Sequence, residues 1–207
     1  MNKSVILIAA AAFALQGCAS MNQEECLASD WRTIGYEDGA AGLPGHQIGN
    51  YRKACASHGV TPDLREYQAG RKEGLREYCQ PPNGFNVGVN GGTYGGACPV
   101  DLEEDFLPAY QVGHKLHSLE GKVVKAVRQI TYREREIDRL DKVMAYQQEI
   151  VISDEATVQQ RLKALLEAKD VTEQKSDLEK QIAILERNKA IYEDELEDYR
   201  TTVAYNY

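Results

Sequence analysis

Val151-Ile152-Ser153-Asp154-Glu155 interrupts an otherwise continuous helical pattern in this 207-residue chain. Before it, apolar residues recur at steps of three and four: Leu116, Leu119, Val123, Ile130, Ile137, Leu140, Met144 and Val151. After it, a second series runs Leu178, Ile182, Leu185, Tyr192, Leu196, Tyr199 and Val203. Such spacing over several heptads, with charges between, argues for a coiled coil. The two series do not share one register. Ser153 suits a helix N-cap, and Asp154 and Glu155 suit a first turn. The spacing predicts a turn near 152–154 joining two antiparallel helices, coiled coil over 122–203, and a short tail at 204–207. The alternative is one continuous helix with a stutter, its stripe covered by other chains. Ala126, Arg133 and Gln147 fall on core positions and leave the seam imperfect.

The composition on either side of residue 122 differs sharply. All 17 glycines and all 6 prolines precede it. The formal charge of −8 disfavours a nucleic-acid partner, which needs a basic footprint. At 43% hydrophobic and 27% charged residues, the chain is not of the usual disordered kind.

The N-terminus reads as an address. Lys3 is followed by an apolar run from Val5 to Leu15 and then by Gly17. This is the layout of a signal peptide over 1–17, and the run is too short to cross a bilayer. Leu15-Gln16-Gly17-Cys18 resembles the lipobox of bacterial lipoproteins, in which the cysteine thiolate takes up the lipid. Gln16 is a mild departure from that pattern. The resemblance implies acyl chains such as palmitate on Cys18, with 18–23 as tether, and two or more chains make a stable anchor. Ala19, by the sorting rule of such lipoproteins, implies the outer membrane facing the periplasm.

With Cys18 lipidated, Cys26, Cys55, Cys79 and Cys98 remain, an even set that reads as two disulfides in an oxidising compartment. Three connectivities are open. The spacings contain no C-x-x-C pair, so a zinc site is not expected. Residues 24–121 read as a small, stapled, mainly helical domain. Its expected helices run from Glu24 to Gly42, from about His46 to His58, and from Thr61-Pro62-Asp63 to about Cys79. If the first two form a hairpin, Cys26 meets Cys55, and Cys79–Cys98 staples the loop that follows. That loop is Gly-rich, and alternating Phe85, Val87 and Val89 before Asn90-Gly91 predict a small β-hairpin.

Tyr36-x-x-Gly39, Tyr67-x-x-Gly70 and Tyr110-x-x-Gly113 repeat one step. A helical glycine costs about 1 kcal/mol against alanine, so close helix approach with Tyr across the gap is the expected reason. A ligand patch of Trp31, Tyr36, Asp38 and Tyr67 is the sharper alternative. His114-x-x-His117-x-x-Glu120 shares a helical face but lacks the zinc-hydrolase pattern, so no metal is expected. No Gly-x-Ser-x-Gly is present, and no cofactor motif.

Several of these residues stand together in a recognisable order: Glu24-Glu25-Cys26, Asp30-Trp31, Gly35-Tyr36, Asp38-Gly39, Cys55, Pro62-Asp63, Tyr67, Gly70, Gly74-Leu75, Tyr78-Cys79, Asn83-Gly84, Tyr94, Cys98-Pro99, Phe106 and Tyr110. Over about 20–125 the chain resembles the bacterial lipoprotein family called domain of unknown function 2799. The resemblance implies secretion, lipidation and paired cysteines, and no activity. The expectation is a non-enzymatic, periplasm-facing outer-membrane lipoprotein. Its membrane attachment is the lipid on Cys18, and its helical arm meets an envelope protein or itself. The alternative is a ligand-binding or cell-wall-hydrolysing domain using the Asp/Tyr/Gly region.

Overall fold

The computed structural model describes residues 21–206, with side chains through 204. The expected signal peptide at 1–17, Cys18 with its lipid, and Ala19 lie outside the described residues. Two compact units form: 21–79 with 95–99, and 80–94 with 100–206. Seven α-helices and one 3-10 turn carry the described residues, with no strand among them. None of these helices is long and apolar enough to cross a membrane.

In the first unit, α1 (Gln23–Ala28) opens on a capping box between Asn22 and Glu25. The expected single helix over 24–42 is two, because Asp30 accepts from the Arg32 and Thr33 amides and starts α2 (Trp31–Ala40) afresh. A 3-10 turn (Gly45–Gln47) leads into α3 (Ile48–Ala56). Asp63, not Thr61, caps α4 (Leu64–Tyr78), accepting from the Arg65 and Glu66 amides. The long partner of α2 is α4 rather than α3. The expected hairpin of the first two helices is therefore replaced, yet Cys26–Cys55 and Cys79–Cys98 both form. Closing loops of 29 and 19 residues adds about 3 kcal/mol each in the chain-entropy account. Cys26, Cys55, Trp31, Ile48 and Tyr67 make the buried core.

In the second unit, the expected β-hairpin is a helix, α5 (Pro81–Val89). Pro81 and Pro82 occupy its first turn, where a missing N–H costs nothing. Asn90-Gly91 ends it: Gly91 has φ +70°, and Gly91 and Gly92 donate to the Gly88 and Val87 carbonyls. A Schellman cap and a tight hairpin both need a positive φ, so the dipeptide signals either. α5 packs on α6 (Val100–Ile152), and α6 packs antiparallel on α7 (Val158–Asn206). The 121/122 division falls inside α6, and α7 runs on through the expected tail to Asn206. The predicted hairpin is present, with its turn slightly later. Ser153 closes α6, and Thr157 with Gln160 forms the capping box of α7. Leu119, Ala126, Ile130 and Leu140 bury against Ala164, Val171 and Leu196 along the seam.

Both units rest on one device. A Cβ on Gly35 would stand 2.1 Å from the Tyr67 carbonyl oxygen, on Gly39 2.3 Å from Arg71 O, on Gly70 1.9 Å from Arg32 O, and on Gly74 2.0 Å from Tyr36 O. Gly84, Gly88 and Gly113 face Phe106 O, Tyr110 O and Phe85 O at 2.6, 2.3 and 2.2 Å. Ala109 stands four residues before Gly113, as Gly70 does before Gly74. Each glycine aims a Cα–H at a carbonyl of the facing helix, a weak contact that recurs where helices touch backbone to backbone. Small residues four apart clear the way on both helices.

Gly70→Ala and Gly113→Ala should therefore each destabilise their own unit by about 1–3 kcal/mol or more, through overpacking against backbone that cannot yield. Gly121, with nothing within 4 Å of its would-be Cβ, is the control. Gly121→Ala should stabilise by about 1 kcal/mol, read by chemical denaturation.

Candidate functional site

The proposed ligand patch is divided by the fold. Asp38 sits on the last turns of α2 and is 5% exposed. Tyr67, on the second turn of α4, is 1% exposed and donates its hydroxyl to Asp38 Oδ2 at 2.6 Å. Tyr51, on α3, donates to Oδ1 at 3.0 Å. Trp31 stacks obliquely on Tyr51 at 6.1 Å between centroids, and Tyr51 meets Tyr67 edge-on at 6.3 Å. Trp31, Asp38 and Tyr67 thus come together around Tyr51, a residue that spacing did not single out. Tyr36 does not join them and is 42% exposed. Its backbone, not its ring, matters to the crossing, since Gly70 and Gly74 lie against its N and O.

Electrostatics fit a closed network. Burial pushes the Tyr67 phenol well above its ordinary range, and the hydrogen bond to Asp38 adds to the shift. The same two causes raise Tyr51, burial being the larger. Each Asp38 oxygen accepts from one phenol, and the carboxylate is buried with them. Arg71 lies nearby in sequence on α4 and donates to Leu43 O at 2.7 Å. Surface depressions lie beside Gln23 and Leu27, around Tyr146 and Gln160, and along α6, lined by other residues.

The histidine pair is likewise engaged locally. His117 Nδ1 lies 3.0 Å from Val89 O, with its ring against Gly91. His114 packs beside Tyr110 at 5.6 Å, and Glu120 pairs with Arg200 at 2.8 Å. Among the described residues no group of three or more metal-ligating side chains forms.

The glycine pairs, the capped ends and the paired cysteines all lie in or beside one matched stretch: a family model described as a protein of unknown function, DUF2799, covers residues 30–115. Over residues 30–115 the chain matches the DUF2799 family. No curated protein and no solved structure matches it. The DUF2799 region takes in both glycine crossings and ends at residue 115, inside α6.

That region holds the same crossing twice. Gly35-Tyr36-x-x-Gly39-x-x-Gly42 recurs as Gly84-Phe85-x-x-Gly88-x-x-Gly91, and Gly42 and Gly91 both have positive φ. Gly42 lies under the Tyr78 ring and Gly91 under His117. Matched through these contacts, the places of Asp38 and Tyr67 in the first crossing are taken by Val87 and Phe106 in the second. The Tyr-x-x-Gly step caught part of this pattern. The glycine-to-glycine step of four carries the rest.

Two outcomes follow. Tyr67→Phe or Asp38→Val alone leaves a buried group unpaired and should cost about 1–3 kcal/mol. The double variant, imitating Val87 and Phe106, should cost clearly less than the sum, as a double-mutant cycle reads. In the unfolded chain Tyr67 ionises near 10, and in the folded chain only at higher pH. Its contribution is therefore full below pH 10 and lost as pH rises through the raised folded value. Alkaline unfolding of the first unit should begin near pH 10, and Tyr67→Phe should flatten that dependence.

Proposed function

We propose that this chain is a non-enzymatic lipoprotein of the outer membrane, facing the periplasm, whose helical arm serves as a structural or protein-interaction element of the cell envelope. The observation that carries the reading is the outer face of α7 just past the turn. Val158, Leu162, Leu165 and Leu166 recur at the spacing of one helical face. They are 83%, 59%, 54% and 57% exposed, while Ala164 and Val171 take the seam. Ile152, across the turn, is also exposed. Contiguous apolar surface of this kind marks interaction sites rather than ordinary soluble surface.

The lipid anchor rests on sequence. Two disulfides use four of the five cysteines and leave Cys18, which stands in the lipobox-like junction after the apolar run. From Cys18 to Cys26 an extended tether reaches at most about 28 Å, which keeps the disulfide-bonded unit near the bilayer. The Asp38 network contributes stability in this reading and no chemistry.

Mass spectrometry of the native, non-reduced chain should show acyl mass on Cys18, and Cys18→Ser should move the protein from the membrane to the soluble fraction. Unchanged fractionation with no acyl mass would refute the anchor. In-cell photo-crosslinking from Leu162 and Leu166 should give discrete adducts. Leu162→Glu with Leu166→Glu should abolish crosslinks from position 165 while leaving helicity intact. Adducts indifferent to that change would refute the interaction role of this face.

A further inference from the structure

Another flank of the arm, beside that leucine stripe, carries a second and separate pattern. Tyr146 of α6 and Lys163 and Glu167 of α7 line one depression of about 480 Å³, so they share a flank of the hairpin. Counting back from Tyr146 by sevens along α6 gives Arg139, Tyr132 and Lys125, all exposed. Counting forward from Lys163 by sevens along α7 gives Asp170, Asp177, Ile184, Ile191 and Asp198, also all exposed. The buried seam residues Leu119, Ala126, Leu140 and Gln147 hold the same heptad, so the sevens stay on one flank of the supercoil. The two stripes differ in sign: aromatic and basic on α6, aliphatic and acidic on α7.

Heights along the arm are fixed by cross-helix contacts. Arg133 donates to Gln181 at 2.9 Å, Lys175 pairs with Asp141, and Lys122 pairs with Glu195 at 3.6 Å. Tyr132 therefore lies level with Ile184, Arg139 with Asp177, and Lys125 with Ile191. Arg139 pairs along its own helix with Glu136. In and beside the stripe, Lys125, Arg128, Arg135 and Lys142 are exposed on α6, and no ion pair to another described residue engages them. On a chain of formal charge −8, exposed cations gathered on one helix face suit an anionic surface.

We propose that this flank is the interface for a second copy of the same chain. A twofold axis along the arm lays the α6 stripe of one copy on the α7 stripe of the other at equal height. Tyr132 then meets Ile184, Arg139 meets Asp177, and every contact occurs twice, as a self-complementary twofold interface requires. The result is a four-helix bundle in which Arg139 of each copy faces Asp177 of the other, each already paired along its own helix with Glu136 or Lys180. Tyr132 and the Lys125 stem lie on isoleucines, and the charge pair sets register as well as attraction. An anionic membrane would satisfy the cations alone. It would leave Ile184 and Ile191 without a counterpart and bring Asp170, Asp177 and Asp198 against like charge, so the second copy is the better fit.

The inference takes the arm as an interaction element, as above, but concerns other residues, and its test is read in a purified protein. Sedimentation velocity of the full-length chain in detergent should show reversible monomer–dimer exchange at low ionic strength, weakened in high salt. Arg139→Glu or Asp177→Lys alone should raise the dimer dissociation constant at least about tenfold, with unchanged far-UV circular dichroism. Both changes in one chain should restore it, because the swapped charges face each other again. Tyr132→Ser should weaken the dimer without salt dependence. A monomer at every concentration and salt, or charge reversals that change nothing, would overturn the proposal. So would cation-dependent binding to phosphatidylglycerol vesicles by a chain that stays monomeric. Any of these leaves the crosslinks from Leu162 and Leu166 as an independent test of the interaction arm.

Discussion

Backbone-to-backbone contact between helices, allowed by glycines four residues apart, is the constraint on which both units depend. Four glycines of α2 and α4 and three of α5 and α6 put a hydrogen where any other residue would put a carbon against a carbonyl. Each of those glycines disfavours its own helix by about 1 kcal/mol in isolation, so the helices form because they cross. The disulfides then hold the ends of this arrangement. Cys26–Cys55 ties α1 to α3 beside the α2–α4 crossing, and Cys79–Cys98 closes the loop from the end of α4.

Within that shared geometry the two crossings have taken different side chains. The first buries a carboxylate and satisfies it with two phenols; the second carries valine and phenylalanine at the matched places. A fully bonded polar network is costly to disturb in part and adds specificity to a small core. The first crossing is part of a unit with two disulfides and few large apolar residues, where such specificity has most to contribute. The second continues into a 53-residue helix and needs none.

Much of this was legible in the residues. The heptad pattern either side of Ser153 reads directly as two antiparallel helices, because burial in a hairpin imposes its period on the sequence. Cysteine parity pointed to two disulfides, and Cys26 pairs with Cys55 as expected although the hairpin that argued for it does not form. The turn chemistry was ambiguous for a physical reason: Asn90-Gly91 supplies the positive φ that both a hairpin and a helix cap demand. Pro81-Pro82 likewise ends one helix and starts another. Asp38 and Tyr67 stood out only as members of a ligand patch with Trp31 and Tyr36, and their pairing depends on Tyr51 from a third helix, which no local spacing reveals. The break at Asp30 was written in its capping preference and masked by the apolar positions continuing through it.

Native-state hydrogen exchange tests the glycine-crossing account most directly. It predicts that the amides of 34–40 with 67–75, and of 85–89 with 106–114, exchange only through opening of their whole unit. The arm around 143–165, farther from any crossing, should open at lower cost. Crossing amides that exchange as readily as those flanking the turn at Ser153 would contradict it.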